Sequence, residues 1–248
     1  MSGHSKWATI KHKKGAADKA RGKLFAKLSR QIEVAAKTGG DVDANPTLRT
    51  AVQKAKAARM TNDAIDRAIK RGTGEGDGGT YESIVYEGYA PGGVALLIDV
   101  LTDNRNRTGA EIRGVFTKLG GSMAEPGAVS WQFGRTGVII TGEGIDEDEL
   151  MTIALEAGAD DVVADGASFR VLTEPSIVYD VRTALDDAGI EVISADSPLV
   201  SENLVPVTDV GEAKAVLRIL EALEDNDDVQ DVFSNFDISD ELIEEVTA

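Results

Sequence analysis

Five of the eight residues from Gly72 to Gly79 are glycine. No such run settles inside a helix or strand, because each glycine loses the most backbone entropy on ordering and gives a core no side chain. The chain is divided there. Gly74, Gly76 and Gly79 match the spacing of a dinucleotide-binding loop, but that loop follows a strand and opens a helix. These glycines follow a predicted helix and precede a strand, and Glu75 and Asp77 would repel a pyrophosphate. Residues 73–80 therefore read as a flexible linker.

Charge divides at the same point. Residues 1–72 hold 17 Lys/Arg against 6 Asp/Glu, and the remainder 9 against 37, so a net of +11 precedes a net of −28 within the overall −17. This layout points to a polyanion-binding module on an acidic body. The 248 residues, 42% of them hydrophobic, suit a soluble, folded chain of two or three domains. The absence of cysteine excludes a disulfide framework, Cys-ligated zinc, iron–sulfur clusters and thiol catalysis. The most apolar run, Val94 to Leu101, is broken by Asp99 and is far short of the ~20 residues that span a bilayer. The basic N-terminus lacks the apolar stretch of a secretory signal. The expectation is a cytoplasmic protein with no membrane segment.

In the basic module, Phe25, Leu28, Ile32 and Ala35 recur at helical spacing between about Ala16 and Thr38, ahead of Gly39-Gly40. The other face carries Lys19, Lys23, Lys27 and Arg30, a single stripe whose members repel one another without a counter-charge. Asn45-Pro46 opens a second helix burying Leu48, Val52 and Ala55, with Arg49, Lys54, Lys56 and Arg59 outside. A third runs from Thr61 or Asn62 through Ile65, Ala68 and Ile69 to Gly72. These make a three-helix bundle. Ahead of it, His4, Lys6, Trp7, Lys11, His12, Lys13 and Lys14 form an arm suited to gripping phosphates and stacking on a base. A solvated basic face, with Trp7 covering the bundle's end, is the alternative.

Beyond the linker, strands and helices alternate. Val94 to Leu101 is a strand, the helix over 108–119 buries Ile112, Val115, Phe116 and Leu119, and Val129 to Phe133 is a further strand. Residues 135–203 then read β-α-β-β-α-β by themselves: strands at Val138 to Thr141, Asp161 to Ala164, Phe169 to Leu172 and Ile190 to Ile193. Their helices open at Asp146, with Glu149 three residues on, and after Pro175. A strand at Leu204 to Val207, a helix capped by Asp209 and a strand at Val229 to Phe233 complete the domain begun at residue 81. The fold class is multidomain α+β: the bundle, then two ferredoxin-like α+β domains, one (135–203) inserted in the other (81–134 plus 204–237). Residues 238–248 read as an acidic, solvated tail.

Particular motifs carry a family resemblance. Gly3-His4-Ser5-Lys6-Trp7, Lys13-Lys14, Arg21-Gly22-Lys23, Phe25, Gly39-Gly40 and Arg71-Gly72 resemble the start of the YebC/PmpR family. Tyr86-Glu87-Gly88-Tyr89, Pro91-Gly92-Gly93-Val94, the run Leu101 to Thr108 and Trp131 resemble its second domain. The resemblance covers nearly the whole chain, most densely 1–133, and departs at Thr61, where Pro is usual, and at Ala90, where Gly is usual. It implies a helical bundle followed by two α+β domains, and a DNA-binding transcriptional regulator. Related members, including the mitochondrial translational activator of cytochrome c oxidase subunit I, act on the ribosome.

Arg105, Asn106 and Arg107 lie at the start of a helix, whose dipole disfavours cations but whose free N–H groups suit a phosphate; pairing with surface carboxylates is the alternative. With Arg21, they complete the expected nucleic-acid-binding set. Both histidines fall in the first twelve residues, and no nucleophile elbow or phosphate-loop Lys-Ser/Thr is present, so no catalytic residue, metal or cofactor is expected. Asp225-Asn226-Asp227-Asp228 begins like a calcium loop but continues with Val229 and Gln230 where a ligand and the turn glycine belong. The expectation is a non-enzymatic regulator binding duplex DNA or ribosomal RNA. The alternatives are a ribosome-binding translation factor and a small-molecule-sensing α+β protein.

Overall fold

The computed structural model describes residues 17–75, 79–201 and 203–247. The bundle consists of α1 (Ala17–Ala36), α2 (Pro46–Ala57) and α3 (Asn62–Gly72) around a core that includes Leu28, Ile32, Leu48, Val52, Ala55, Ile65 and Ala68. Asn45 sets its first corner. Its side-chain oxygen accepts from the Leu48 N–H to cap α2, while its amide donates to the Ala35 and Gly39 carbonyls at the end of α1. One side chain thus satisfies unpaired groups at two helix ends. At the same end α3 packs so closely on α1 that a Cβ on Gly72 would stand 2.3 Å from the Glu33 carbonyl oxygen.

The linker is fastened on both sides. The buried Glu33 carboxylate accepts from Arg71 at 3.1 Å and from the Gly79 N–H at 2.9 Å. The chain then forms a hairpin of β1 (Glu82–Ala90) and β2 (Val94–Thr102), paired residue for residue from Glu82↔Thr102 to Ala90↔Val94. Helix α4 (Arg105–Leu119) ends at Gly120, whose φ of 81° is the left-handed cap, and the short β3 (Ser122–Ala124) pairs with β1. Val129 to Phe133, expected as a strand, is instead a turn with a 3-10 segment at Ser130–Gln132. The N–H groups of Gly127, Val129 and Ser130 are taken by the buried Glu87 carboxylate, so a ladder has no use of them.

The chain leaves by β4 (Phe133–Arg135) and returns by β9 (Leu199–Ser201), which pair with each other. Between them lie β5 (Gly137–Thr141), α5 (Glu147–Glu156), β6 (Asp161–Asp165), β7 (Ser168–Thr173), α6 (Val178–Asp187) and β8 (Val192–Asp196). The strand order is β6-β7-β5-β8, all antiparallel, and Ile139, Leu150, Val171, Val181 and Leu185 form the core. The last strand lies two residues beyond the Ile190 to Ile193 expected, because Ile190 is spent in packing after the α6 cap.

The first sheet is finished by the returning chain. After β10 (Val205–Pro206) come α7 (Val210–Glu224) and β11 (Val229–Ser234), giving the order β11-β2-β1-β3. Helices α4 and α7 cover one face, burying Ile112, Phe116, Val216, Leu220 and Leu223 against Leu96, Ile98 and Val100. Strand β12 (Phe236–Asp237) pairs in parallel with β10. The expected tail is a helix. Residues Asp240–Thr247 form α8, and Ile238, Leu242, Ile243 and Val246 pack on this core; the acids between them had masked an apolar face of helical period. The chain thus combines a helical bundle with two α+β sheets, in compact units of residues 1–133 with 201–248 and of residues 134–200. Among the described residues no helix is long and apolar enough to cross a membrane.

Candidate nucleic-acid interface

Burying Leu28 and Ile32 turns the opposite face of α1 toward the loop joining α7 to β11. Lys23 Nζ reaches Asp225 Oδ1 at 2.9 Å and its carbonyl at 3.1 Å. Lys27 Nζ donates to the Glu224 carbonyl at 2.9 Å. Arg30 Nη1 donates to the Asp227 carbonyl at 2.5 Å and stands 3.4 Å from Asp228 Oδ1, with its guanidinium over the Tyr81 ring, 5.5 Å from the centroid. Lys54 of α2 adds an ion pair to Asp231 at 3.6 Å. The electrostatic reason lies in α7, which has no basic residue in its last turn. Its terminal carbonyls carry about half a negative charge, three aspartates follow within four residues, and α1 supplies the cations its own sequence lacks.

Asp228 is the centre of this junction, its side chain only 9% exposed. Its Oδ2 accepts from Arg107 at 2.5 Å, Thr108 at 2.6 Å and Thr102 at 3.1 Å. Burial alone would raise the carboxyl, but the donors Thr108, Arg107 and Thr102 and the Arg107 charge outweigh it and hold the group below its ordinary value. Arg107 also pairs with Asp103 at 2.9 Å. A polar cleft of about 350 Å³ opens beside these groups, between Arg30, Tyr81, Glu111 and Asn226.

Of the residues expected to bind nucleic acid, His4, Lys6, Trp7, Lys11, His12, Lys13 and Lys14 lie outside the described residues. Lys19 falls in the first turn of α1, and Arg21 is exposed on the next. Lys23, Lys27 and Arg30 share one face, as their spacing requires, and that face meets carboxylates and carbonyls of the same chain. Arg105, Asn106 and Arg107 form the exposed first turn of α4, where Asn104 caps Arg107 N–H. Arg107 makes the carboxylate pairs that were the alternative for this segment, whereas Arg105 has no ion pair among the described residues.

Further cations lie outside that set: Lys56 and Arg59 stand outside the core as the sequence predicts, whereas Arg67 and Lys70 were not read from it. Lys56, Arg59, Arg67 and Lys70 are exposed on the bundle without ion-pair partners among the described residues. Arg67 and Lys70, three residues apart, are neighbours on α3. Arg59 follows the end of α2 with φ 62°, the left-handed position that glycine usually holds. The partnership of α1 with Asp225 to Asp228 had one signal available: a helix ending without a base and followed by three acids needs cations from elsewhere. On the first sheet, Glu87 fixes the turn that presents Trp131, 74% exposed. There burial is again outweighed, by the N–H groups of Gly127, Val129 and Ser130, and the Glu87 carboxyl lies below its ordinary value.

Residues 5–75 match the TACO1/YebC protein N-terminal domain, and residues 81–236 match the TACO1/YebC second and third domain. A probable transcriptional regulatory protein of Halothermothrix orenii is 57% identical over 251 aligned positions, covering 100% of this chain and 99% of that one. Another of the same description, from Rubrobacter xylanophilus, is 56% identical with 99% of each chain covered. The crystal structure of a conserved hypothetical protein from Aquifex aeolicus superposes with a TM-score of 0.77 at 43% identity, over 90% of this chain and 93% of that one.

Proposed function

The chain belongs to the TACO1/YebC family, and from that premise we propose that it is a non-enzymatic, nucleic-acid-binding regulator of gene expression, acting on DNA in transcription. The observation that carries this reading is the concentration of cations in the bundle, +11 over residues 1–72 against −28 for the rest. Contact through the bundle with the acidic body held away is the arrangement this favours. The close relatives described as probable transcriptional regulatory proteins support it. Lys56, Arg59, Arg67 and Lys70 supply exposed charge for phosphates.

A second reading, ribosomal RNA as the target, is favoured by the character of α3. It presents Arg67 and Lys70 but, past Asn62 at its first position, no Asn or Gln to read an adenine edge. Such a surface offers contacts chiefly to phosphates, which carry no sequence information. Sedimentation from a lysate at ~0.15 M salt, with and without RNase, separates the two. Comigration with ribosomes that RNase abolishes makes RNA the target; retention on promoter fragments without ribosome association makes it DNA.

A further inference from the structure

We infer that the end of α7 with the Asp225 to Asp228 loop is an internal stand-in for a phosphate backbone, seated on the α1 row of Lys23, Lys27 and Arg30 and displaced when nucleic acid takes that row. The inference rests on the proposed function and assigns that surface its regulation.

The acceptors match in kind. Carboxylate and helix-end carbonyl oxygens receive the Lys and Arg donors here as phosphate oxygens would. The dimensions agree as well. The seven helical steps from Lys23 to Arg30 extend on the order of 10 Å, the axial length of about three nucleotides of one duplex strand.

The contact is also built to release. Lys23 and Asp225 are 35% and 72% exposed, so their attraction is weakened by water and salt. The apolar cores of the bundle and of the first sheet are separate clusters. Only one oxygen of Asp228 faces Arg30; the other keeps Arg107, Thr108 and Thr102. Arg30 can therefore leave without stranding a buried charge, which removes the main barrier to opening such a junction.

Two manipulations test this, read by fluorescence anisotropy with a labelled 20-nucleotide RNA and a 20-base-pair DNA duplex. Asp225→Asn with Asp227→Asn should tighten binding about fivefold, while the control pair Glu147→Gln with Asp148→Asn, which removes the same charge from the separate unit of residues 134–200, should change it less than about twofold. Because the chain has no cysteine, Lys23→Cys with Asp225→Cys can be joined by a cleavable bis-maleimide. The joined protein should bind at least about tenfold more weakly, and cleavage should restore affinity. Equal binding before and after cleavage, or equal tightening by the control pair, overturns the inference and leaves the proposed function standing. If neither the native chain nor the Asn variant holds either probe at ~0.15 M salt, the proposed function fails, and the inference fails with it.

Discussion

Asp228 joins residues that lie far apart in the sequence. Its partners Thr102, Arg107 and Thr108 are 120 or more positions away, which is why its role is invisible to local pattern, whereas the caps Asn45, Asp146 and Asp209 are legible from the three or four residues after them. The depressed carboxyls of Asp228 and Glu87 bind protons less readily in the folded chain than in the unfolded one. They stabilise the fold fully above the ordinary carboxylate value of about 4, and that contribution disappears as pH falls through their lower folded values. Thermal melts should therefore weaken as pH falls below about 5. Asp228→Asn should lower stability near neutrality by about 1–3 kcal/mol and flatten that decline. Arg59 offers the opposite case, since a left-handed non-glycine residue costs roughly 1 kcal/mol. Arg59→Gly should raise the melting temperature, and weaker RNA binding by the stabilised variant would show that the arginine is kept for contact.

At the scale of elements, periodic segments were readable and aperiodic ones were not. The three bundle helices, the 94–102 strand, the inserted β-α-β-β-α-β unit and α7 follow from spacing that burial enforces. β3 is three residues long and carries too little pattern, and the 127–132 turn is set by a carboxylate forty positions upstream. Helix α8 was hidden by its charge. Leu242→Ala should cost about 2–4 kcal/mol in denaturant unfolding, where a solvated tail would show almost nothing. Gly72→Ala should cost about 1–3 kcal/mol, because its methyl would meet the Glu33 carbonyl and the Ala36 Cβ, 2.7 Å away. A smaller loss would mean that α1 and α3 separate easily.

For the molecule as a whole, the division of charge is plain in the sequence, while the use of part of the basic stripe inside the protein required the fold. Lys23, Lys27 and Arg30 read correctly as one row; what faces them depends on how the two ends of the first unit meet. If the bundle binds phosphates, the logarithm of affinity should fall linearly with the logarithm of salt, by about 0.9 per phosphate on duplex DNA and about 0.7 on a single strand. Reversing Lys13 and Lys14 to Glu should abolish binding with the melting temperature unchanged; retained affinity at ~0.15 M salt would move the contact away from the arm. Glu33 bears on the linker in another way. By holding Arg71 and Gly79 on one carboxylate, it fixes the two ends that the residues between them have to join. Closure entropy grows only with the logarithm of length, about 0.6 kcal/mol per doubling. The number of residues between these two anchors is therefore nearly free to drift, while Glu33 itself is not.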